Sequence, residues 1–154
     1  MLKFISGDMF SQPFDIRINT VNCKGAMGKG VALAFRKKYP KMYYEYKQKC
    51  RKNEIKPGEL FVWNNLVINF PTKRDWRDDS RYEDIESGLK ALREYLLQHS
   101  EIKTVALPAL GCGNGGLNWV IVSELIKKYL DDIPTEISVF EPKDSHMLGN
   151  KYSQ

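Results

Sequence analysis

Short apolar runs alternate with longer amphipathic ones along this chain. Residues 2–6 (LKFIS) predict a first strand ending at Gly7-Asp8, and residues 15–22 (DIRINTVN) a second, mostly apolar at alternate positions. A glycine-rich loop, CKGAMGKG (23–30), precedes VALAFRKKY, which has helical spacing and is stopped by Pro40. KMYYEYKQKC predicts another helix, with Met42, Tyr43, Tyr46 and Cys50 on one core-facing stripe. Pro57-Gly58 then breaks the chain, and FVWNNLVINF reads as two short strands joined through Asn64-Asn65. Ser80 and Glu83 have the spacing of a capping box for a helix that keeps Ile85, Leu89, Leu92 and Leu96 on one face. TVALPAL (104–110) predicts a buried strand, GCGNGGLNW a second glycine-rich loop, WVIVSELIKKYL a helix and EISVF (136–140) the last strand. Residues 143–154 are expected to form a polar, loose tail after one domain over 1–142.

Strands alternating with helices predict an α/β domain in which a largely parallel sheet is covered on both faces, with the hairpin-like pair making the sheet mixed. The 154 residues suffice for one domain with a real core. No apolar run approaches the ~20 residues of a membrane span, and MLKFISGDMF has no signal-peptide pattern, so a cytoplasmic protein without a membrane partner is expected. Cys23, Cys50 and Cys112 are odd in number and form no CxxC pair. His99 and His146 are the only histidines, and neither a histidine triad nor a metal site is expected. A net charge of +5 and a pI near 9.0 suggest an anionic partner, a nucleic acid or a phosphorylated ligand.

The two glycine-rich loops are the strongest chemical signal. Each follows a strand and leads toward a helix, where ligands of open α/β sheets bind and where backbone N–H groups favour phosphate. Two such loops facing each other suit a diphosphate. CKGAMGKG is not a Walker A loop, because Gly30 follows Lys29 where Ser or Thr is required. GCGNGG matches G-x-G-x-x-G with Asp131 downstream, but only one strand follows it, too few for a dinucleotide fold. Cys112 reads as a small packed residue rather than a nucleophile. Asp8 either caps a turn or accepts a hydrogen bond from a ligand amino group.

Between the hairpin and the capping box lies NFPTKRDW. On pattern alone Lys73 and Arg74 are solvated turn residues. The run TKRDWRDDSR also sets Arg74, Trp76, Arg77 and Arg81 together, a mixture of cations and an aromatic suited to single-stranded DNA. Convergence of the Arg74 and Lys73 head groups would lower the lysine's pKa.

GDMF at the first strand end, INTVNCKGAMGKGVALAF and ALPALGCGNGGLNW together resemble the macrodomain family, the ADP-ribose-binding fold, over nearly all of residues 1–142. FPTKRDWR is most similar to the branch found in DarG antitoxins, which oppose DarT-type DNA ADP-ribosyltransferases, and more distantly to the terminal ADP-ribose protein glycohydrolases. The resemblance implies a three-layer α/β/α sandwich around a mixed six-stranded sheet. Asp8 and Met9 would bind the adenine and Asn22 the distal ribose. Gly28, Lys29 and Gly30 would approach the diphosphate from one side, and Gly111, Cys112, Gly113, Asn114 and Gly115 from the other. Phe140 or Pro142 would wall the adenine, and Lys73 would be catalytic. Protein-directed glycohydrolases carry an aspartate where Gly115 aligns, which tilts the implied substrate toward ADP-ribosylated single-stranded DNA.

The implied activity is metal-free, cofactor-free removal of ADP-ribose from DNA bases by a monomer, with Arg74, Trp76 and Arg77 as DNA contacts. Alternatives are a non-catalytic ADP-ribose reader and a hydrolase of protein-linked ADP-ribose or O-acetyl-ADP-ribose. A DarT-type toxin is the implied protein partner, through a domain that this chain lacks. The chain is therefore expected to be an excised domain or a stand-alone one.

Overall fold

The computed structural model describes residues 1–142; the expected tail, with His146, lies outside the described residues. In chain order the elements are β1 (Leu2–Ile5), β2 (Ile16–Asn22), α1 (Gly30–Lys38), α2 (Pro40–Arg51), β3 (Phe61–Trp63), β4 (Val67–Lys73), α3 (Tyr82–Gln98), β5 (Thr104–Pro108), a 3₁₀ turn (Gly113–Gly115), α4 (Trp119–Leu130) and β6 (Glu136–Phe140). The six strands form one mixed sheet in the order β1-β6-β5-β2-β4-β3. All neighbours pair in parallel except β3 and β4. Those two are the expected hairpin: Asn64 and Asn65 have φ of 53° and 54°, and the Leu66 N–H donates to Trp63 O at 3.0 Å. Both residues in the left-handed region give the turn whose twist matches the strands.

Alternation along the strands feeds two cores, one on each face. Ile16, Ile18, Ile68 and Phe70 face Ile85, Leu89, Val122 and Ile126 of α3 and α4. Val21 and Val67 face Phe35, Met42 and Tyr46 of α1 and α2. The three-layer architecture follows from this division. Among the described residues no helix is long and apolar enough to cross a membrane.

The capping box does not form. Arg81, not Ser80, is the N-cap of α3, and no side chain caps it. Glu83 and Asp84 instead fall in the first helical turn, where negative charge complements the helix dipole. The Arg74 guanidinium grips Asp84 with two bonds of 3.0 Å, tying the end of β4 to the start of α3.

Close approach of α3 to the sheet depends on Gly88, because a Cβ there would lie 2.3 Å from the Phe70 ring. Gly88→Ala is expected to destabilise the fold by about 2 kcal/mol in urea titrations, since overpacking at this contact outweighs the ~1 kcal/mol gain in helix propensity.

Candidate active site

Parallel pairing aligns the carboxyl ends of β1, β6, β5, β2 and β4 in one row. Strands ~4.8 Å apart put the first and last of these about 19 Å from each other. A cleft of about 1010 Å³ runs across them. Its position outside the strand ends is where open α/β sheets bind ligands.

At the β1–β6 end, Asp8, Met9, Phe140 and Pro142 line the cleft. The Asp8 carboxylate accepts from the Phe10 N–H at 2.9 Å, so it stabilises the turn after β1 while remaining exposed. Arg17 on β2 braces the same turn, donating to Met9 O at 3.0 Å and Gln12 O at 2.6 Å. Phe14 packs edge-on against Phe140, with ring centroids 5.9 Å apart. These contacts hold an aromatic wall at this end.

The first glycine loop forms the middle of the cleft, organised by Asn22. Asn22 Oδ1 accepts from the N–H groups of Lys24, Gly25 and Ala26 at 2.9, 3.1 and 3.3 Å. Its Nδ2 donates to Ala26 O at 2.7 Å. Buried Tyr46 adds a hydroxyl bond of 2.6 Å to Asn22 O. The loop delivers the chain into α1, whose N-cap, Lys29, makes no side-chain cap bond and whose first turn carries no acid. The N–H groups of that first turn have no intrahelical acceptors, and Gly28 to Ala32 line the cleft. A helix start of this kind favours an anion.

The second loop faces the cleft from the turn that precedes α4. Asn118 caps α4 by accepting from the Val120 N–H at 2.8 Å, and the cleft is lined by 111–115 rather than by the start of α4. Gly111, Cys112, Gly113, Asn114 and Gly115 therefore face it from the turn before the helix. Burial pushes the Cys112 thiol up to about 12, so the thiol stays protonated and the packing role stands.

Lys73, at the end of β4, lines the far end of the cleft with Thr72, Trp76 and Ser80. The register of β4 against β2 shifts here: Val21 pairs with Pro71, yet Asn22 pairs with Lys73. Such a bulge re-aims side chains, and it follows Pro71, which has no N–H to give a ladder. Lys73 Nζ reaches Trp76 O at 3.4 Å. The Arg74 guanidinium is held by Asp84 instead of converging on Lys73, so the expected like-charge pressure on the lysine lacks its geometry.

Arg74 and Arg77 do not line the cleft. Arg77 is bound to Asp75 at 2.9 and 2.7 Å and lies over the Trp76 ring. Arg77, and more weakly Lys24, hold the Asp75 carboxyl well below the ordinary carboxylate range. Trp76 is 56% exposed at the cleft rim, not folded onto the core. Thr72 and Ser80 line the cleft without having been expected there: Ser80 was hidden by its capping-box spacing, and Thr72 carries no motif.

The Macro domain family model matches residues 18–126, which hold both loops and Lys73. The chain belongs to the macrodomain family. This macrodomain is similar to a Thermus aquaticus protein named DNA ADP-ribosyl glycohydrolase, 39% identical over 153 residues that cover 94% of this chain and 42% of the relative. The chain thus spans less than half the length of that relative. Among solved structures, the macrodomain of Mycobacterium tuberculosis DarG matches with a TM-score of 0.88 at 36% identity, covering 93% of this chain and 99% of that one. Thermosipho africanus DarTG in complex with ADP-ribose matches with a TM-score of 0.85 at 32% identity, covering 98% of this chain and 45% of that one.

Proposed function

We propose that this macrodomain removes ADP-ribose from ADP-ribosylated bases of single-stranded DNA. The observation that carries the reading is the order of features along one cleft: an aromatic wall, an uncapped helix start facing a glycine turn, and then a primary amine. That order matches adenine, diphosphate and distal ribose. A diphosphate between α1 and residues 111–115 sets the distal ribose beside Lys73.

In the reaction the bond from the anomeric carbon to the base nitrogen breaks, water supplies hydroxide to the carbon, and the base nitrogen regains a proton. The transition state has oxocarbenium character. Charged, Lys73 protonates or stabilises the leaving base. Neutral, it attacks the anomeric carbon or the opened aldehyde and forms a Schiff base that water then hydrolyses. Gly115 leaves the second loop without a carboxylate, so Lys73 carries this chemistry without a partner acid from that loop.

Release of ADP-ribose from ADP-ribosylated single-stranded oligonucleotides tests the reading, with thymidine- and guanosine-linked adducts assayed separately. Folded protein that releases none would overturn it. Tight binding of free ADP-ribose without turnover of any adduct would favour the reader. Activity confined to protein-linked ADP-ribose or O-acetyl-ADP-ribose would favour the alternative hydrolase. The DarT-type toxin belongs to the same proposal as the enzyme whose product is removed.

Trp76 is the base platform in this reading. Trp76→Ala keeps the carbonyl that holds Lys73, and it is expected to raise KM for the DNA adduct about 10-fold with little change in affinity for free ADP-ribose, as loss of one stacked base predicts. Steady-state kinetics beside calorimetry checks this.

A further inference from the structure

Among the described residues, two buried side-chain polar atoms have no hydrogen-bond partner: Asn19 Oδ1 and Ser80 Oγ. Asn19 lies inside the sheet, its Nδ2 bonded to Asn69 at 3.0 Å, and does not line the cleft. Ser80 does line it and is 6% exposed. Its backbone N–H donates to Gly115 O at 2.9 Å, which fixes the residue against the second loop. The hydroxyl packs against Gly115, where a Cβ would come within 2.6 Å of Ser80 Oγ. A Cβ on Gly111 would come within 3.2 Å of Ser80 Cβ. Both loop residues next to Ser80 are glycines, and the cleft that Ser80 lines is lined by the same two glycines. Buried hydroxyls are almost always paired. Ser80 begins no cap, so nothing in the local chain accounts for a hydroxyl here.

We propose that Ser80 is a ligand-contacting residue whose hydroxyl is paired by a hydroxyl of the distal ribose. The inference rests on the functional reading above, which puts that sugar between residues 111–115 and Lys73. Ser80 packs against the same loop and lines the cleft with Lys73. Its partner is absent from the protein because the substrate brings it. Gly115 is glycine because a side chain would cover the hydroxyl.

The test is calorimetry with two probes, ADP-ribose and ADP, on the wild type and Ser80→Ala, with thermal melting of both proteins. ADP lacks the distal ribose. The expected result is about a 10-fold weaker affinity for ADP-ribose, the usual effect of one lost hydrogen bond, with ADP affinity unchanged and no fall in melting temperature. Gly115→Ala should show the same selectivity, and its effect should shrink in the Ser80→Ala background, since both act on one contact. Unchanged ADP-ribose affinity in Ser80→Ala overturns the proposal. So does equal loss for both probes, which would place the effect at the diphosphate, or a parallel fall in melting temperature, which would make the role structural. A wild type that binds neither probe would refute the functional reading and the Ser80 contact together.

Discussion

Lys73→Ala is expected to lower turnover of ADP-ribosylated single-stranded DNA by about 1000-fold, the scale set by removing a general acid or a charge-stabilising group. Affinity for free ADP-ribose should change only a few-fold, because the adenine wall and the anion site are untouched. The size of the expected loss follows from what else lines the cleft. Asp8 lies on β1's side and Lys29 lies in the first glycine loop. The Cys112 thiol is protonated, and Asp75 is bound to Arg77. Among the described residues lining that end of the cleft with Lys73, Thr72 and Ser80 offer hydroxyls and Trp76 an indole, and none of these is a comparable acid or amine. Lys73→Arg separates the two chemical roles. It keeps the charge but supplies neither a nucleophilic amine nor, with a pKa above about 12, an effective acid. Activity retained in Lys73→Arg would make the lysine an electrostatic stabiliser, and activity lost in both variants would favour proton transfer or a Schiff base. A Lys73→Ala protein with full turnover would remove Lys73 from the mechanism while leaving the activity standing.

Much of the fold was legible because period and punctuation agree in this chain. The α3 stripe Ile85, Leu89, Leu92 and Leu96 is buried as the helical spacing requires. The Asn64-Asn65 turn is encoded by two residues that tolerate positive φ. The strand-loop-helix grammar likewise put both glycine loops at one end of the sheet. What stayed hidden depends on contacts distant in sequence. Ser80 matched a capping box by spacing, but its backbone is bound to Gly115, thirty-five residues away, and α3 begins one residue later than a Ser80 cap requires. The bulge that aims Lys73 exists only in the pairing of β4 with β2. Adjacent cations read as one basic patch, whereas Arg74 is matched by Asp84 on α3 and Arg77 by its neighbour Asp75. Trp76, by contrast, is exposed at the cleft rim, as the proposed base platform requires.

Asn22→Ala is expected to have the second-largest effect, weakening ADP-ribose binding by about 100-fold and destabilising the fold by about 2 kcal/mol, since several partly buried groups lose their partner at once. The side chain gathers three loop N–H groups on Oδ1 and holds Ala26 O through Nδ2. Tyr46 locks that arrangement from below, with a hydroxyl that burial keeps protonated. Tyr46→Phe removes one of these bonds and should lose about 1 kcal/mol and up to about 10-fold in affinity. Asn22→Asp preserves the acceptor but sets a second carboxylate oxygen against Ala26 O, 2.7 Å from the present donor, and should fall between Tyr46→Phe and Asn22→Ala. ADP then separates scaffold from contact. If Asn22 acts by shaping the loop that presents the α1 start to the diphosphate, ADP and ADP-ribose weaken together in calorimetry. If it acts only by touching the distal ribose, ADP binding is unaffected. Four of its hydrogen bonds already go to its own loop, so loss of both ligands is the expected result. That outcome is the reverse of the one expected for Ser80, although both residues line the same cleft.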